Sequence, residues 1–290
     1  MSQQNNKDFN LKAVVSFIVL GVLTLFIYDY FDLNNLSRKP LEVLDVFKEE
    51  QRELELLGKA ELSYAGGTKG RNKNIEIGVG RINGTTILPG EEFSFKKFLG
   101  SVTPEDGFSE ERVFLNGEVT RGLGGGLCQV SSTLFQSVVN SGLPVTERYN
   151  HSFSVVLYDV GLDATYYDPG PDLKFVNDTN GPVTIKGKTE EQKVVFEIYG
   201  VPDGRISSTT PVEITNVVDF PAARYVATTT RASTEPECVN SPQIGYTAKI
   251  NYGILYPTGE YKLQEFISKY KPLQRVCYVT LKDIPGVGLR

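Results

Sequence analysis

One histidine and three cysteines in 290 residues narrow the chemistry open to this chain. Cys128 stands in "GLGGGLCQVSSTLF" (122–135), where four glycines precede it and small hydroxyl side chains follow, leading into an apolar pattern of helical spacing. A thiol at a helix start meets unpaired backbone N–H groups and the positive end of the helix dipole, and both favour the thiolate. His151, in "ERYNHSFSV", is the sole imidazole able to hold that thiolate and move its proton. A third group should orient the ring. Asp163 of "GLDATYY" is the first candidate and Asp172 of "GPDLKF" the second, each with the competing reading of a turn-stabilising aspartate. Asn150 adjoins the histidine, but neighbours on a strand point to opposite faces.

The backbone N–H groups from Gly126 through Leu127 to Gln129 are expected to form an oxyanion hole. Gly124, Gly125 and Gly126 are expected to let a substrate approach the backbone closely. Ser131, Ser132, Arg148, Asn150 and Ser152 are expected to support the site. Such a set performs nucleophilic acyl chemistry through a covalent cysteine intermediate, without a cofactor. Zinc is disfavoured, because one cysteine and one histidine fall short of three or four ligands. Two plainer readings compete: a lone cysteine buried as a small hydrophobe, and a histidine that merely caps or faces solvent. A nucleotide loop fits poorly, since Leu127 stands where a dinucleotide fingerprint needs glycine and no Lys-Ser/Thr pair follows.

Cys238 and Cys277, 39 residues apart, are the disulfide candidates, leaving Cys128 as the odd thiol. In the loop-entropy view their bridge contributes about 3–4 kcal/mol to a small module.

These residues need elements to carry them. Forty per cent hydrophobic and 11% aromatic residues suffice for a core, and a net charge of −5 gives no reason to expect nucleic acid. Residues 13–28, "AVVSFIVLGVLTLFIY", are uncharged and would span about 24 Å as a helix. Leu11, Tyr30 and Phe31 extend the segment toward membrane thickness. Lys7 and Lys12 before it and Asp29 after it predict a cytoplasmic N-terminus and an extracellular bulk. A cleaved signal peptide competes, but the exit "YDYFDLNNLSRKP" is bulky and charged. The chain is therefore expected to be a single-pass membrane protein: a cytoplasmic tail at 1–10, an anchor at 11–31, a stalk and linker at 32–70, an α+β domain at 71–202 and a small β module at 211–290. The stalk should hold an amphipathic helix over 41–57, ended by Gly58. From residue 74 onward short strands are expected, including "FSVVLYDV" and "LDATYY", with one main helix beginning at Cys128 or Gln129.

The segments "RNKNIEIGVGRINGTTILPGEEFSF", "GGGLCQVSSTLF", "ERYNHSFSV", "GLDATYY" and "PDLKFVNDTNGPVTI" together resemble the VanW domain, in order, over roughly 71–202. The C-terminal "IGYTAKINYGILYPTGEYKLQEFISKY" more faintly resembles the glycine-named β module that often follows such domains. The resemblance implies an exported bacterial protein acting on peptidoglycan stem peptides as an L,D-transpeptidase, with Cys128 as nucleophile and His151 as its partner. With water as acceptor the same site would be an L,D-carboxypeptidase. The rival is a non-catalytic wall- or precursor-binding module linked to glycopeptide resistance.

Overall fold

The computed structural model describes residues 54–115, 118–228 and 237–279. The expected cytoplasmic tail and membrane anchor, and most of the expected stalk helix, lie outside the described residues. Among the described residues no helix is long and apolar enough to cross a membrane.

The chain runs β1 (Glu55–Ser63), α1 (Lys69–Ile82), β2 (Thr86–Ile87), β3 (Glu92–Ser94), α2 (Phe95–Leu99), β4 (Glu110–Leu115), β5 (Glu118–Leu123), α3 (Leu127–Asn140), β6 (Val145–Glu147), β7 (Lys174–Val176), β8 (Val183–Glu190) and β9 (Lys193–Gly200). After these come β10 (Ile206–Thr209), β11 (Glu213–Val218), β12 (Arg224–Ala227), β13 (Glu237–Cys238), β14 (Gly245–Leu255), β15 (Tyr261–Tyr270) and β16 (Val276–Val279). The class is α+β, as expected.

An antiparallel sheet in the order β1-β9-β8-β2 forms one layer. Ile185, Val194, Phe196 and Ile198 from this sheet join Ile75, Val79 and Ile82 of α1 and Val130, Leu134 and Val138 of α3 in one buried cluster. Burying one such aliphatic side chain is worth about 1.5–3 kcal/mol, so this layer contact supplies much of the driving force. A smaller sheet, β3-β7-β6, packs Phe93 on Phe175 with ring centroids 4.8 Å apart.

Three expectations about local structure are corrected. Residues 69–82 form a helix where the end of a linker and, from residue 74, strands were expected. The segment "NIEIGVG" alternates apolar and polar residues, yet Ile75, Val79 and Ile82 also keep helical spacing, and packing on the sheet selects that period. Thr68 begins it, its hydroxyl accepting the Arg71 N–H at 3.2 Å. Residues 55–58 belong to β1, paired to β9, so Gly58 lies inside a strand and ends no helix. Finally, "FSVVLYDV" and "LDATYY" are turns and extended chain. Val156, 92% exposed, shows that the alternation there does not face a core.

Beyond residue 205, β14 pairs with β15 through the Pro257-Thr258-Gly259 turn and with β10 and β11 along its other edge. Tyr252, Ile254 and Phe266 from this hairpin sit in the same buried cluster as α3, with Phe266 edge-on to Phe135 at 5.2 Å. The described residues belong to one compact unit. The Cys238–Cys277 disulfide joins β13 to β16, leaving Cys128 as the free thiol.

Candidate active site

Helix α3 places the thiol. Gly126 caps it with φ +111°, and Gly124 has φ +76°, values that a residue with a side chain adopts only under strain. A Cβ on Gly126 would lie 2.9 Å from Ile75, and one on Gly125 would lie 2.9 Å from the Arg112 carbonyl. The glycines thus let the loop press against α1 and β4. Leu127 N donates to the Gly124 carbonyl at 3.0 Å and Gln129 N to the Gly126 carbonyl at 2.9 Å, so two of the four expected oxyanion donors are engaged. Cys128 sits in the first helical turn, half-buried, with Sγ 3.4 Å from the Tyr166 carbonyl oxygen.

The chain leaves α3, crosses β6 and returns through residues 148–167 without a ladder of its own. Side chains of α3 hold this returning segment in place. Ser131 Oγ donates to the Ala164 carbonyl at 2.6 Å, and the Ala164 N–H donates to Ser132 Oγ at 2.9 Å. Asp163, adjoining that anchor, is buried and meets His151 twice: Oδ2 lies 2.6 Å from Nδ1 and accepts the backbone N–H at 2.7 Å. The ring is electrostatically coupled to Cys128, imidazolium and thiolate each favouring the other.

Further donors fix the carboxylate. Arg148 Nη2 donates to Asp163 Oδ1 at 2.9 Å, and the same guanidinium donates to the Gly161 carbonyl at 3.1 Å and to Ser268 Oγ at 2.9 Å. Tyr270 donates its hydroxyl to Asp163 Oδ1 at 2.6 Å. Tyr158 stacks on the His151 ring at 5.2 Å.

The electrostatics follow from this chain of contacts. Burial opposes the Cys128 thiolate, but the hydrogen bond and charge of His151 outweigh it, and the thiol is held below its usual range. Burial alone would lower His151; the hydrogen bonds to Asp163 and to Cys128 reverse this and raise it to about 9. Asp163 would be raised by burial, yet the His151 hydrogen bond and the charges of His151 and Arg148 keep it below the ordinary carboxylate value. The shifts reinforce one another: each favours the charged form, thiolate, imidazolium and carboxylate alike.

Other expected residues serve elsewhere. Gln129 is buried and turned away from the thiol, accepting from Arg71 at 2.6 Å and donating to the Ser63 carbonyl at 2.7 Å. Asn150 donates to the carbonyls of His151 and Lys269, so it braces the histidine backbone. Ser152 is exposed and offers its carbonyl to the Lys271 N–H at 2.7 Å. Asp172 accepts from Ser94 and from the Lys96 N–H at the start of α2, away from the histidine. Tyr158, Ser268 and Tyr270 escaped the sequence reading. Tyr158 lies in a segment expected as a strand, Ser268 and Tyr270 lie in the C-terminal segment that resembles the β module, and β15 reaches the site only through folding.

Fold and site define an α+β protein that holds a charged Cys–His–Asp chain at the start of a buried helix. Residues 70–199 match the family described as VanW like protein, and this stretch is a domain of that family. The chain is 32% identical over 178 residues to the uncharacterized protein YoaR of Bacillus subtilis, covering 59% of each chain. It is 29% identical over 131 residues to the vancomycin B-type resistance protein VanW of Enterococcus faecalis, covering 43% of this chain and 48% of that one. The chain thus spans less than two thirds of the length of either relative.

Proposed function

We propose that this protein is an exported, membrane-anchored cysteine acyltransferase that cross-links peptidoglycan stem peptides as an L,D-transpeptidase. The observation that carries the reading is the Asp163–His151 contact, Oδ2 2.6 Å from Nδ1, with the imidazole electrostatically coupled to Cys128 at the start of α3. The similarity to a vancomycin resistance protein supports a place at the cell wall. The uncharged segment at 13–28 supports the anchor and the outward orientation of the rest.

Cys128 Sγ attacks the carbonyl carbon of the penultimate stem residue, forming an S–C bond and a tetrahedral oxyanion. The backbone N–H of Cys128, an orphan of the first helical turn, and that of Gly126 are the remaining donors for that oxygen. The C–N bond then breaks, and the His151 imidazolium gives its proton to the departing D-amino acid. A side-chain amine of a second stem next attacks the thioester, the neutral imidazole takes its proton, the S–C bond breaks, and the thiolate–imidazolium pair is restored. Asp163 keeps the ring in the orientation and charge state that both transfers require. Water in place of the amine gives the carboxypeptidase outcome from the same intermediate.

The test is intact-protein mass after incubation with a disaccharide-tetrapeptide. The expected adduct equals the stem minus its terminal residue, appears in the wild type, and is absent from Cys128→Ala and His151→Ala. Protein that binds peptidoglycan but gives neither adduct nor cross-linked product with any stem would overturn the acyltransferase in favour of a binding module.

A further inference from the structure

Four arginines are half-buried among the described residues: Arg71, Arg81, Arg148 and Arg205. Arg81 pairs with Asp106 at 3.0 Å, Arg148 with Asp163 at 2.9 Å, and Arg205 with both Asp178 and Asp203. Among the described residues no carboxylate forms an ion pair with Arg71. Its Nη2 donates at 2.6 Å to Gln129 Oε1, a neutral amide. A partly desolvated guanidinium without a counter-anion is costly, and its fork geometry suits a carboxylate. Nor does helix stability explain it. Arg71 occupies the first turn of α1, where a cation opposes the helix dipole, and that turn contains no acid.

The position of this unpaired charge is specific. The Arg71 side chain passes the cap of α3, its Cγ 3.2 Å from where a Cβ on Gly126 would stand, and its head reaches Gln129. Gly126 and Gln129 bracket Cys128 in sequence. The guanidinium also lies within electrostatic reach of the Tyr158 hydroxyl, which itself feels the Cys128 charge.

We infer that Arg71 receives a free carboxylate of the substrate, so that the site selects acyl donors carrying a carboxylate close to the bond that Cys128 attacks. The inference rests on the acyltransferase reading for the identity of that donor. A stem whose scissile bond precedes its C-terminal residue has such a carboxylate on the leaving group, one residue from the attacked carbonyl. Arg71 is then the specificity-determining group, and it explains why a terminal D-amino acid with an unblocked end would be the one released.

The test uses the full-length chain and two probes. First, Cys128 is alkylated with iodoacetate and with iodoacetamide, the intact mass giving the rate of each. These reagents differ by a carboxylate, and the reaction needs no acyl transfer. The wild type should favour iodoacetate, and Arg71→Met should reduce that preference by roughly ten- to a hundredfold, the range of a charged hydrogen bond, while Arg71→Lys keeps part of it. Second, the wild type alone is offered a tetrapeptide and its C-terminal carboxamide, a comparison that no folding defect can disturb. The acid should acylate Cys128 roughly ten- to a hundredfold faster than the amide. Equal acylation by acid and amide overturns the role of Arg71 and leaves the acyltransferase standing. An Arg71-dependent iodoacetate preference without acylation by either peptide supports the carboxylate site and removes the acyltransferase. A reagent preference that survives in Arg71→Met overturns the inference, because the charge then comes from His151.

Discussion

Asp163 and Tyr270 stand 107 residues apart in the chain, yet the tyrosine hydroxyl donates to the carboxylate at 2.6 Å. Tyr270 ends β15, a strand of the C-terminal hairpin, and Asp163 lies in the loop segment that orients His151. The strands after residue 205 therefore complete the polar surroundings of the site. Each Asp163 oxygen has at least two donors: Oδ2 takes the ring and backbone of His151, and Oδ1 takes Arg148 and Tyr270.

The single histidine makes the ion pair directly measurable. In an NMR titration His151 should show a pKa of about 9. Alkylating Cys128, or Cys128→Ala, removes one of the two hydrogen bonds that raise it and should lower the value. Asp163→Asn removes the larger raising influence and exposes the effect of burial, so the value should drop further, toward or below the ordinary ~6.5. An unmodified protein whose histidine titrates at ~6.5 would contradict the arrangement.

Stability against pH follows from two opposed shifts. His151 is raised, so its proton stabilises the fold fully below the unfolded value of ~6.5, and this is lost as pH rises through about 9. Cys128 is lowered, so its charge stabilises the fold above the unfolded thiol value of ~8.5, and this is lost as pH falls through the lowered value. Across that window one contribution declines while the other grows, and the wild-type melting temperature should fall less with rising pH than it would from the histidine alone. Cys128→Ala retains only the histidine contribution, and its melting temperature should fall as the solution is made alkaline. Parallel curves for the two proteins would argue against a shared proton.

The clamp on Asp163 should have a graded cost. Arg148 and Asp163 side chains are 4% and 3% exposed, so Arg148→Met leaves the buried carboxylate with the imidazolium alone, a loss of up to about 3–5 kcal/mol in denaturant unfolding. Tyr270→Phe removes one neutral donor and should cost about 1–2 kcal/mol. With one fewer donor on its carboxylate, Asp163 becomes a stronger acceptor, and His151 should titrate higher in Tyr270→Phe. No change in that titration would mean that Tyr270 only fills space.

Gly126→Ala tests the cap. The positive φ and a contact 2.9 Å from Ile75 combine strain with overlap, and a loss of about 1–3 kcal/mol is expected. Because the same residue sets the start of α3, iodoacetamide should label Cys128 more slowly in the folded variant. Unaltered stability and labelling would show that the loop relaxes freely.

Much of the site was legible before folding, for a compositional reason. One imidazole leaves a thiol one possible partner, and two cysteines close together in sequence leave the third free. The glycines before Cys128, the helix behind it and the hydrophobic periods of β8, β9, β14 and β15 are likewise local signals. The helix over 69–82 was not legible, because its isoleucines and valines satisfy both periods and only contact with the sheet and α3 chooses between them. Nor was the returning segment over 148–167. It is held by side chains of α3 rather than by a ladder, and such contacts leave no periodic trace.

The sequence by itself determined which groups exist to react: one free thiol, one histidine and a helix start that favours an anion. Tertiary structure decided which aspartate serves them, that Arg148 and Tyr270 hold it, that Gln129 faces the core, and that Arg71 rests on the Gln129 amide without a counter-charge among the described residues. The division is physical. Residue type and spacing encode intrinsic chemistry and local periodicity, whereas the charge state of a buried group depends on neighbours brought from distant parts of the chain.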